Sequence, residues 1–573
     1  MTVPGAPSPS SSPARWPASS GRRDGFMLIA GLHLAALTVL LAPEYGPFAI
    51  TLTLLVWAFV NCALLVVLRR PGIAALIAFA LLFVLVSLSQ FKFGILQLTL
   101  TFLDFLIIDR DTLSFLFSVV PSLRGTFAVA VAAAVPLAWL MWRYDPFRVR
   151  RRNALAGLAA SLMVIAGLSF AVPEQPWEPF QGVNHISNLA RSGALSVSHL
   201  MAAGWIEADT APGGAKAAGA PNAAEPCRAE KPPHIVMVLD ESSFDITAAP
   251  GVRVPPGYRD YFRSADGRQR GFIAEATGGP TWYTEFNVLT GLSARSFGKL
   301  RFYVTRIAAG NITRGLPQAL RRCGYKTFSL YPTYGNFLSA RSFQHGAGVD
   351  GFIDMADMGV AQDMQPDSFY FDQALKLIAR EREAARPLFV FVYLTANHFP
   401  WTSVYRPDLT PGWQPPGNGG EVDEYIRRQT MTARDYRAFL ARLKESYPDD
   451  RFLLVRFGDH QPAISHRIIE PKLAPGMLAR RVMTYDPRYY TTYYAIDGIN
   501  YWPENLASAL PALDAPYLPL VVQEAAGLPL DASFAEQKKI MLRCNGLFYA
   551  CRAGTEARRF NRLLMDWGLI RNL

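Results

Sequence analysis

The feature that most constrains this 573-residue chain is a series of long apolar runs with few charges in its first third. A helix needs about 20 apolar residues to cross the hydrocarbon core of a bilayer. The runs therefore predict a bundle of about five transmembrane helices, at residues 25–43, 47–68, 72–90, 124–142 and 153–172. The stretch between the third and fourth runs carries Asp104, Asp109, Arg110 and Asp111, so we expect it to be interfacial or re-entrant on the outer side.

Clusters of arginine beside the apolar runs predict the orientation of this bundle. They lie at Arg22 and Arg23, at Arg69 and Arg70, and in the loop at 143–153, and arginine-rich loops are typical of the cytoplasmic side. Five crossings from an inside N-terminus place the C-terminal part outside the cytoplasm, on an inner membrane. The same clusters account for much of the formal net charge of +11, so we expect no nucleic-acid partner.

Composition divides the chain into four parts. Residues 1–24 are rich in Ser, Pro, Ala and Gly and predict a disordered cytoplasmic tail. The first apolar run at 25 is followed by another, which favours a retained helix over a cleaved signal peptide. After the bundle at 25–172, a juxtamembrane connector and an Ala-, Gly- and Pro-rich linker occupy 173–231. Residues 232–573 read as an extracytoplasmic catalytic domain.

The cysteines agree with an exported domain. Cys227, Cys323, Cys544 and Cys551 lie in that domain or in the linker before it, and an even number permits two disulfides in an oxidising compartment. Cys544 and Cys551 are close in sequence and are the expected pair, which leaves Cys227 with Cys323. A metal cluster is the other interpretation, but no Cys-x-x-Cys spacing supports it. Cys62, in an apolar run, is expected to be a buried small hydrophobe.

Apolar runs of strand length alternate with helical stretches in the catalytic domain. Three of these runs end in polar residues, in the segments HIVMVLDESSFD, LFVFVYLTANHFPW and RFLLVRFGDHQP, and KTFSLYPTYGN is a shorter version. Continuous apolar strands alternating with helices predict an α/β fold with a mainly parallel central sheet. In such folds the chemistry lies at the carboxyl ends of the strands.

The polar residues at these strand ends are of the types that bind metal ions. They are Asp240-Glu241, His398 and Asp459-His460. Carboxylate and imidazole ligands suit one divalent cation such as Mn²⁺ or Zn²⁺. A single Asp at the end of a strand is more often a turn or cap residue. Three strand ends with potential ligands in one predicted sheet favour a functional site.

A candidate nucleophile follows a Gly-Gly-Pro turn. Thr281 stands after this turn and before a helix-like run in TGGPTWYTEFNVLTGL. Free backbone N–H groups at such a helix start favour a bound phosphoryl group, and a hydroxyl beside a cation can ionise and attack phosphorus. The local sequence leaves open that Thr281 is only a helix N-cap.

The order of DES, GGPTWYTEF, NHFPW and FGDHQP resembles the alkaline phosphatase/sulfatase superfamily. Within it, the chain is similar to membrane-anchored lipoteichoic acid synthases and to phosphoglycerol and phosphoethanolamine transferases. The resemblance implies that Glu241, Thr281, Asp459 and His460 bind the metal ion and that Thr281 is also the nucleophile. It implies that His398 contacts the transferred phosphate or the leaving group.

Two departures from the family pattern bear on the substrate. Arg341 in FLSARSF stands where the family keeps a basic residue for the head group, but the flanking residues are Ala340 and Ser342 rather than Asn and Asp. No Cys/Ser-x-Pro-x-Arg segment surrounds Thr281, so sulfate-ester hydrolysis is not expected. The Thr-Glu-Phe that follows resembles phosphoglycerol transferases more than lipid A phosphoethanolamine transferases.

The resemblance therefore implies a phosphotransferase. It would take a phosphoglycerol or phosphoethanolamine head group from a membrane phospholipid, hold it as a phosphothreonine, and deliver it to an envelope glycan or lipid-linked acceptor. Two alternatives stay open on the sequence. One is a membrane-anchored phosphatase or phosphodiesterase with water as the acceptor, and the other is a non-catalytic scaffold that binds phospholipid head groups.

Overall fold

A computed structural model describes residues 18–96, 98–107, 114, 123–172, 178, 181–210, 227, 231–360, 364–382, 386–506 and 509–573. The chain forms two compact units. The first comprises Met1–Leu106 and Phe117–Ser198, and the second comprises Ile107–Leu116 and His199–Leu573. Most of the predicted tail at 1–24 and of the linker at 207–231 lies outside the described residues, and a helix already begins at Ala18.

The first unit is helical. Its described helices, two of which end in the second unit, are α1 (Ala18–Leu41), α2 (Pro47–Leu68), α3 (Pro71–Leu96), α4 (Phe102–Ile107), α5 (Leu123–Tyr144), α6 (Arg151–Ala171) and α7 (His185–Ala203). Within the described residues, four segments are long and apolar enough to cross a membrane: Arg22–Leu41, Pro47–Leu68, Pro71–Gly94 and Arg151–Ala171. Helix α5 covers the predicted span at 124–142 but is not among these four, so a fifth crossing stays a prediction.

Small residues and buried polar contacts hold the first unit together. Ala36, Ala75 and Ala78 are buried in its core, where small side chains let helix backbones approach closely. At the start of α7, the buried Glu44 carboxylate accepts hydrogen bonds from Ile186 N at 2.7 Å and from the Ser187 hydroxyl at 2.6 Å. A carboxylate at a helix N-terminus satisfies free N–H groups and is favoured by the helix dipole.

Part of the predicted interfacial stretch lies in α4. Asp104, in the first turn of this helix, forms an ion pair with Lys92 at 2.9 Å, and both side chains are largely buried. Asp109, Arg110 and Asp111 lie outside the described residues. A buried charge is tolerated when it is paired, and this pairing explains how the stretch carries acidic residues next to apolar helices.

The second unit is built on an eight-stranded sheet that is mostly parallel, so the predicted α/β fold with a mainly parallel central sheet is confirmed. The strands are β1 (His234–Asp240), β2 (Arg270–Ile273), β3 (Lys326–Leu330), β4 (Gly351–Ile353), β5 (Leu388–Tyr393), β6 (Phe452–Gly458), β7 (Thr491–Ile499) and β8 (Ala512–Asp514). Their order across the sheet is β4-β3-β5-β1-β6-β7-β2-β8. All neighbours are parallel except β7, which pairs antiparallel with β6 and β2.

Helices connect and flank these strands. They are α8 (Thr281–Thr290), α9 (Val304–Ala308), α10 (Leu316–Arg322), α11 (Ala340–Gly346), α12 (Asp367–Glu381), α13 (Gly420–Ser446), α14 (Ser465–Ile468), α15 (Pro475–Met483), α16 (Leu518–Ala525), α17 (Ala532–Arg543) and α18 (Thr555–Asp566). One core joins Val236 and Val238 of β1 to Tyr370 of α12 and Phe439 of α13. The central strands are buried on both faces, which is why they read as continuous apolar runs.

Both expected disulfides are present. Cys544 is bonded to Cys551, and Cys227 is bonded to Cys323 at the end of α10. Cys62 is a free, partly buried thiol in α2. The prediction of two disulfides is confirmed, and the metal-cluster interpretation is wrong for these four cysteines.

Candidate active site

Strands β1 and β6 bring two ligand-bearing strand ends side by side. They are parallel neighbours, and Asp240 pairs in register with Gly458, so Glu241 and Asp459 follow at the same edge of the sheet. The backbones come very close here. A Cβ atom at Gly458 would lie 1.8 Å from the carbonyl oxygen of Ser243, so only glycine fits this position.

Glu241, Asp459 and His460 form a buried cluster. One potential ligand atom of each lies within 4.8 Å of the others. The Nε2 atom of His460 is 3.3 Å from Asp459 Oδ2 and 3.7 Å from Glu241 Oε1. The Nδ1 atom of His460 lies 3.0 Å from the carbonyl oxygen of Gln461 and donates to it, so Nε2 is the ring nitrogen that faces the carboxylates. This is a donor set that suits a divalent cation.

The hydrogen bonds of Asp459 leave one of its oxygens for a ligand. Its Oδ1 accepts from the backbone N–H of Ser242 at 2.7 Å and of His460 at 2.8 Å. Its Oδ2 is buried and has no hydrogen-bond partner of normal geometry among the described residues. Burial and the nearby Glu241 carboxylate raise the pKa of Asp459, an effect partly offset by the Thr281 hydroxyl. Two buried carboxylates this close favour a cation between them, so the residues fit a metal ion.

The Thr281 hydroxyl faces this cluster. Its Oγ lies 3.3 Å from Glu241 Oε2 and 3.4 Å from His460 Nε2. Thr281 begins α8, and the N-cap of that helix is Pro280, which makes no side-chain cap. The preceding turn uses the left-handed conformation of Gly278, at φ +75°, to bring the chain back to the strand ends. The hydroxyl is directed at the carboxylates and the imidazole, which favours a chemical role over a capping role.

The Asp240-Glu241 pair divides between the core and the site. Asp240 is buried, and its Oδ2 accepts hydrogen bonds from the hydroxyls of Tyr493 at 2.7 Å and Tyr261 at 3.0 Å. Burial raises the pKa of Asp240 despite these bonds. Of the two carboxylates, Glu241 is therefore the one that joins the cluster.

The structure does not join His398 to this cluster by a hydrogen bond among the described residues. His398 follows β5, which is the parallel neighbour of β1, so it lies at the same edge of the sheet. Its ring is partly exposed and stacks on Phe399, and its Nδ1 donates to the Phe399 carbonyl at 2.8 Å. The buried guanidinium of Arg428 donates to the His398 carbonyl at 2.7 Å, so the backbone of this loop is held in place.

Arg341 lines a separate cavity of about 230 Å³, together with Asn336 and Asp354. Its guanidinium donates to Asp354 at 2.7 Å, to Asp357 at 3.1 Å and to the Phe352 carbonyl at 3.1 Å. Two carboxylates therefore already engage this cation. The role in head-group binding that the resemblance implies stays a prediction.

One histidine near the nucleophile turn was missed by the sequence analysis. The Nε2 atom of His466 lies 2.8 Å from the Thr277 hydroxyl, four residues before Thr281. Burial and the nearby His460 lower the pKa of His466 to about 4, so it is neutral at physiological pH. In the sequence it stands only six residues after His460, but it does not lie at the end of a predicted strand.

Comparison with known families agrees with this arrangement. Residues 263–507 match the family model described as Sulfatase. Residues 263–507 are a sulfatase-family domain. For these residues, the predicted resemblance to the alkaline phosphatase/sulfatase superfamily, and with it the prediction of an enzyme, is confirmed. No curated protein matches the sequence of the chain.

Several solved structures resemble this one. The Streptococcus pyogenes phosphoglycerol transferase GacH, in complex with sn-glycerol-1-phosphate, is 16% identical over 60% of this chain and 86% of its own, with a TM-score of 0.45. The Neisseria meningitidis lipooligosaccharide phosphoethanolamine transferase A is 10% identical over 91% of this chain and 98% of its own, also with a TM-score of 0.45. The Listeria monocytogenes lipoteichoic acid synthase LtaP is 16% identical over 54% and 76%, with a TM-score of 0.37.

Proposed function

We propose that this chain is a metal-dependent transferase that moves a phospho-head-group from a membrane phospholipid to an envelope acceptor. The head group is phosphoglycerol or phosphoethanolamine, and the acceptor is a glycan or a lipid-linked molecule. The observation that carries the proposal is the Thr281 hydroxyl, 3.3 Å from Glu241 and 3.4 Å from His460 in a buried cluster with Asp459.

Four residues would hold the metal ion: Glu241, Thr281, Asp459 and His460. The mixed oxygen and nitrogen donors suit Mn²⁺ or Zn²⁺. A bound divalent cation favours the ionised Thr281 hydroxyl and neutralises charge that develops on the phosphoryl oxygens. The backbone N–H groups of Ser242 and His460 keep Asp459 in place, because both donate to the carboxylate oxygen that faces away from His460 Nε2.

The reaction has two displacements at phosphorus. In the first, Thr281 Oγ forms a bond to the phosphorus of the donor lipid and the bond to the diacylglycerol oxygen breaks. We assign to His398 the proton that this leaving oxygen takes up. In the second, a hydroxyl of the acceptor gives its proton to His398 and attacks the phosphorus, and the bond between phosphorus and Thr281 Oγ breaks, so that Thr281 returns to its ionised form. The site would thus hold the head group covalently between the two substrates.

The membrane part supports this choice of donor. Four helices in the described residues are long and apolar enough to cross a membrane, and a phospholipid can be reached only at a bilayer surface. We propose an inner-membrane location with the catalytic domain on the periplasmic side, as the arginine clusters predict. A disulfide-bonded catalytic unit agrees with an oxidising compartment.

The test uses the purified full chain and vesicles that contain labelled phosphatidylglycerol or phosphatidylethanolamine. Trypsin should release Thr281 in the peptide 271–295, which also holds Thr277, Thr284 and Thr290, so fragmentation must locate the label. We expect the retained head group on Thr281 and released diacylglycerol. Thr281→Ser should keep both, and Thr281→Ala should lose both while it retains most metal, since three ligands remain.

Two outcomes separate the alternatives. If free head-group phosphate is released at the same rate with and without acceptor, the protein is a phosphodiesterase with water as the acceptor. If Thr281→Ala releases diacylglycerol at the wild-type rate, Thr281 is not the nucleophile and the proposal fails. Chelation should abolish the reaction, and Asp459→Asn should need more added Mn²⁺ or Zn²⁺ than wild type to recover it, because metal affinity depends on the charged ligand.

A further inference from the structure

A buried carboxyl lies on the nucleophile helix, one turn after Thr281. Glu285 accepts a hydrogen bond at its Oε1 from Gln344 Nε2, at 2.8 Å, and is fully enclosed. The same Gln344 Nε2 lies 2.9 Å from the hydroxyl of Tyr393. Residues four apart lie on the same face of a helix, so Glu285 and Thr281 project to the same side of α8.

The two partners of Glu285 belong to elements that carry other candidate site residues. Gln344 is in α11, three residues after Arg341. Tyr393 is the last residue of β5, and the chain continues from it into the loop with His398. The Glu285 network therefore connects the nucleophile helix to both of these elements at buried positions, where such contacts are strongest.

No cation forms an ion pair with Glu285 in the part of the chain that the structure describes. The titratable groups that act on it from the neighbouring elements are the phenols of Tyr331 and Tyr393. Burial raises the pKa of Glu285 to about 7, so its neutral form is present at physiological pH. Among the described residues, the buried Oε1 of Gln344 has no hydrogen-bond partner. A neutral Glu285 carboxyl can donate a hydrogen bond to this oxygen when the amide of Gln344 is turned over, which exchanges its oxygen and nitrogen.

We propose that Glu285 is a positioning residue that acts in its neutral form, tying the helix of Thr281 to α11 and to the end of β5. The inference rests on the proposed function, because it assigns a role around the same nucleophile. A leucine of similar size would avoid the cost of a buried polar group, so packing alone does not account for a carboxyl here.

Three variants test this proposal. Glu285→Gln keeps a neutral side chain that hydrogen bonds, and Glu285→Leu keeps the volume but removes the network. Asp514→Asn is the matched control. Asp514 lies in β8 at the far edge of the sheet, is also buried, and accepts a hydrogen bond from Phe548 N. Burial likewise raises the pKa of Asp514 to about 7. Diacylglycerol release gives kcat and KM from pH 5.5 to 8.5, and bound metal and the melting temperature are measured in parallel.

We expect Glu285→Leu to lower kcat by about 10–100-fold with KM and metal content unchanged, since misplacement of a nucleophile affects the chemical step. Glu285→Gln should retain most of the kcat and should lose an inflection near pH 7 that the wild type and Asp514→Asn share. In the wild type, activity falls as Glu285 ionises, because a buried anion without a cation disrupts its own network.

Two results would overturn the inference: a wild-type kcat in Glu285→Leu, or an unchanged pH profile in Glu285→Gln. The second comparison holds even if the leucine variant does not fold. Failure of the proposed function looks different, because Thr281→Ala would then release diacylglycerol like the wild type. If Thr281→Ala is inactive and both Glu285 variants behave as the wild type, only this inference is wrong.

Discussion

The buried guanidinium of Arg428 offers a way to disturb the His398 loop without touching the candidate ligands. Arg428 lies in α13 and donates to the carbonyls of His398 at 2.7 Å, Pro400 at 2.8 Å and Ser403 at 3.1 Å. Its Nε donates to Glu424 at 2.6 Å. One side chain thus satisfies three carbonyls of the loop that follows β5, and the substitution Arg428→Met would leave them without this donor.

The magnitude follows from these contacts. A hydrogen bond to a charged group contributes about 1.5–3 kcal/mol, but removal of the guanidinium also removes the cost of burying it. Glu424 keeps a partner, because Arg427 lies 2.8 Å from it. We therefore expect Arg428→Met to lower the free energy of unfolding by about 2–4 kcal/mol. A domain with a typical stability of about 5–15 kcal/mol remains folded after this loss.

Arg427→Met is the matched control. Arg427 lies in the same helix and pairs with the same Glu424, but it donates to Tyr405 and Thr410 rather than to residues 398–403. Hydrogen exchange should increase at 398–403 in Arg428→Met only. Diacylglycerol release should fall by about 10–100-fold in that variant and stay within about threefold of wild type in the control. Equal exchange and equal rates in the two variants would refute the reasoning.

Three further predictions concern pH, oxidation and topology. Burial raises the pKa of Asp367 from 3.8 in the unfolded chain to about 7. The free energy of unfolding should therefore fall as the pH rises from about 4 to 7. Urea unfolding at pH 5 and pH 8 should show that Asp367→Asn removes roughly 2–3 kcal/mol of this fall. Non-reducing mass spectrometry should find Cys544 joined to Cys551, and substitution of both by serine should cost about 2–3 kcal/mol of stability; free thiols in protein from the native envelope would contradict the pairing. A reporter active only outside the cytoplasm should be active when fused after residue 206 and silent at residue 147, and the reverse pattern would contradict the orientation.

The strands that carry the site could be predicted because they are buried on both faces. HIVMVLD, LFVFVY and RFLLVRFG read as continuous apolar runs, and they form β1, β5 and β6 at the centre of the sheet. Their common edge then explains why Glu241 and Asp459 meet. The antiparallel insertion of β7 between β6 and β2 could not be predicted, since strand pairing depends on partners far apart in sequence rather than on a local pattern.

The surroundings of the site were harder to predict for a related reason. Arg428 acts on backbone carbonyls, which every residue has, so no motif identifies its partners. The resemblance assigns Arg341 to the position of a head-group-binding basic residue. Its contacts with Asp354 and Asp357 could not be predicted, because they depend on how the chain folds after Arg341. Glu285 was visible only as an acidic residue in the nucleophile helix, and its burial emerged from the packing of α11 and β5 around it.

The close approach of the two backbones at Gly458 has a consequence for engineering. Because a Cβ atom there would collide with the Ser243 carbonyl, the spacing between the ligand-bearing strands is set by main chain alone. A variant library aimed at new head groups or acceptors can therefore diversify the loop after β3, while the His398 loop after β5 and the metal-binding residues stay unchanged. Position 458 itself is best kept out of such a library. Even alanine at this position would push apart the two chain segments that carry Glu241 and Asp459. Every variant with that substitution would therefore have a distorted metal site, whatever its other changes.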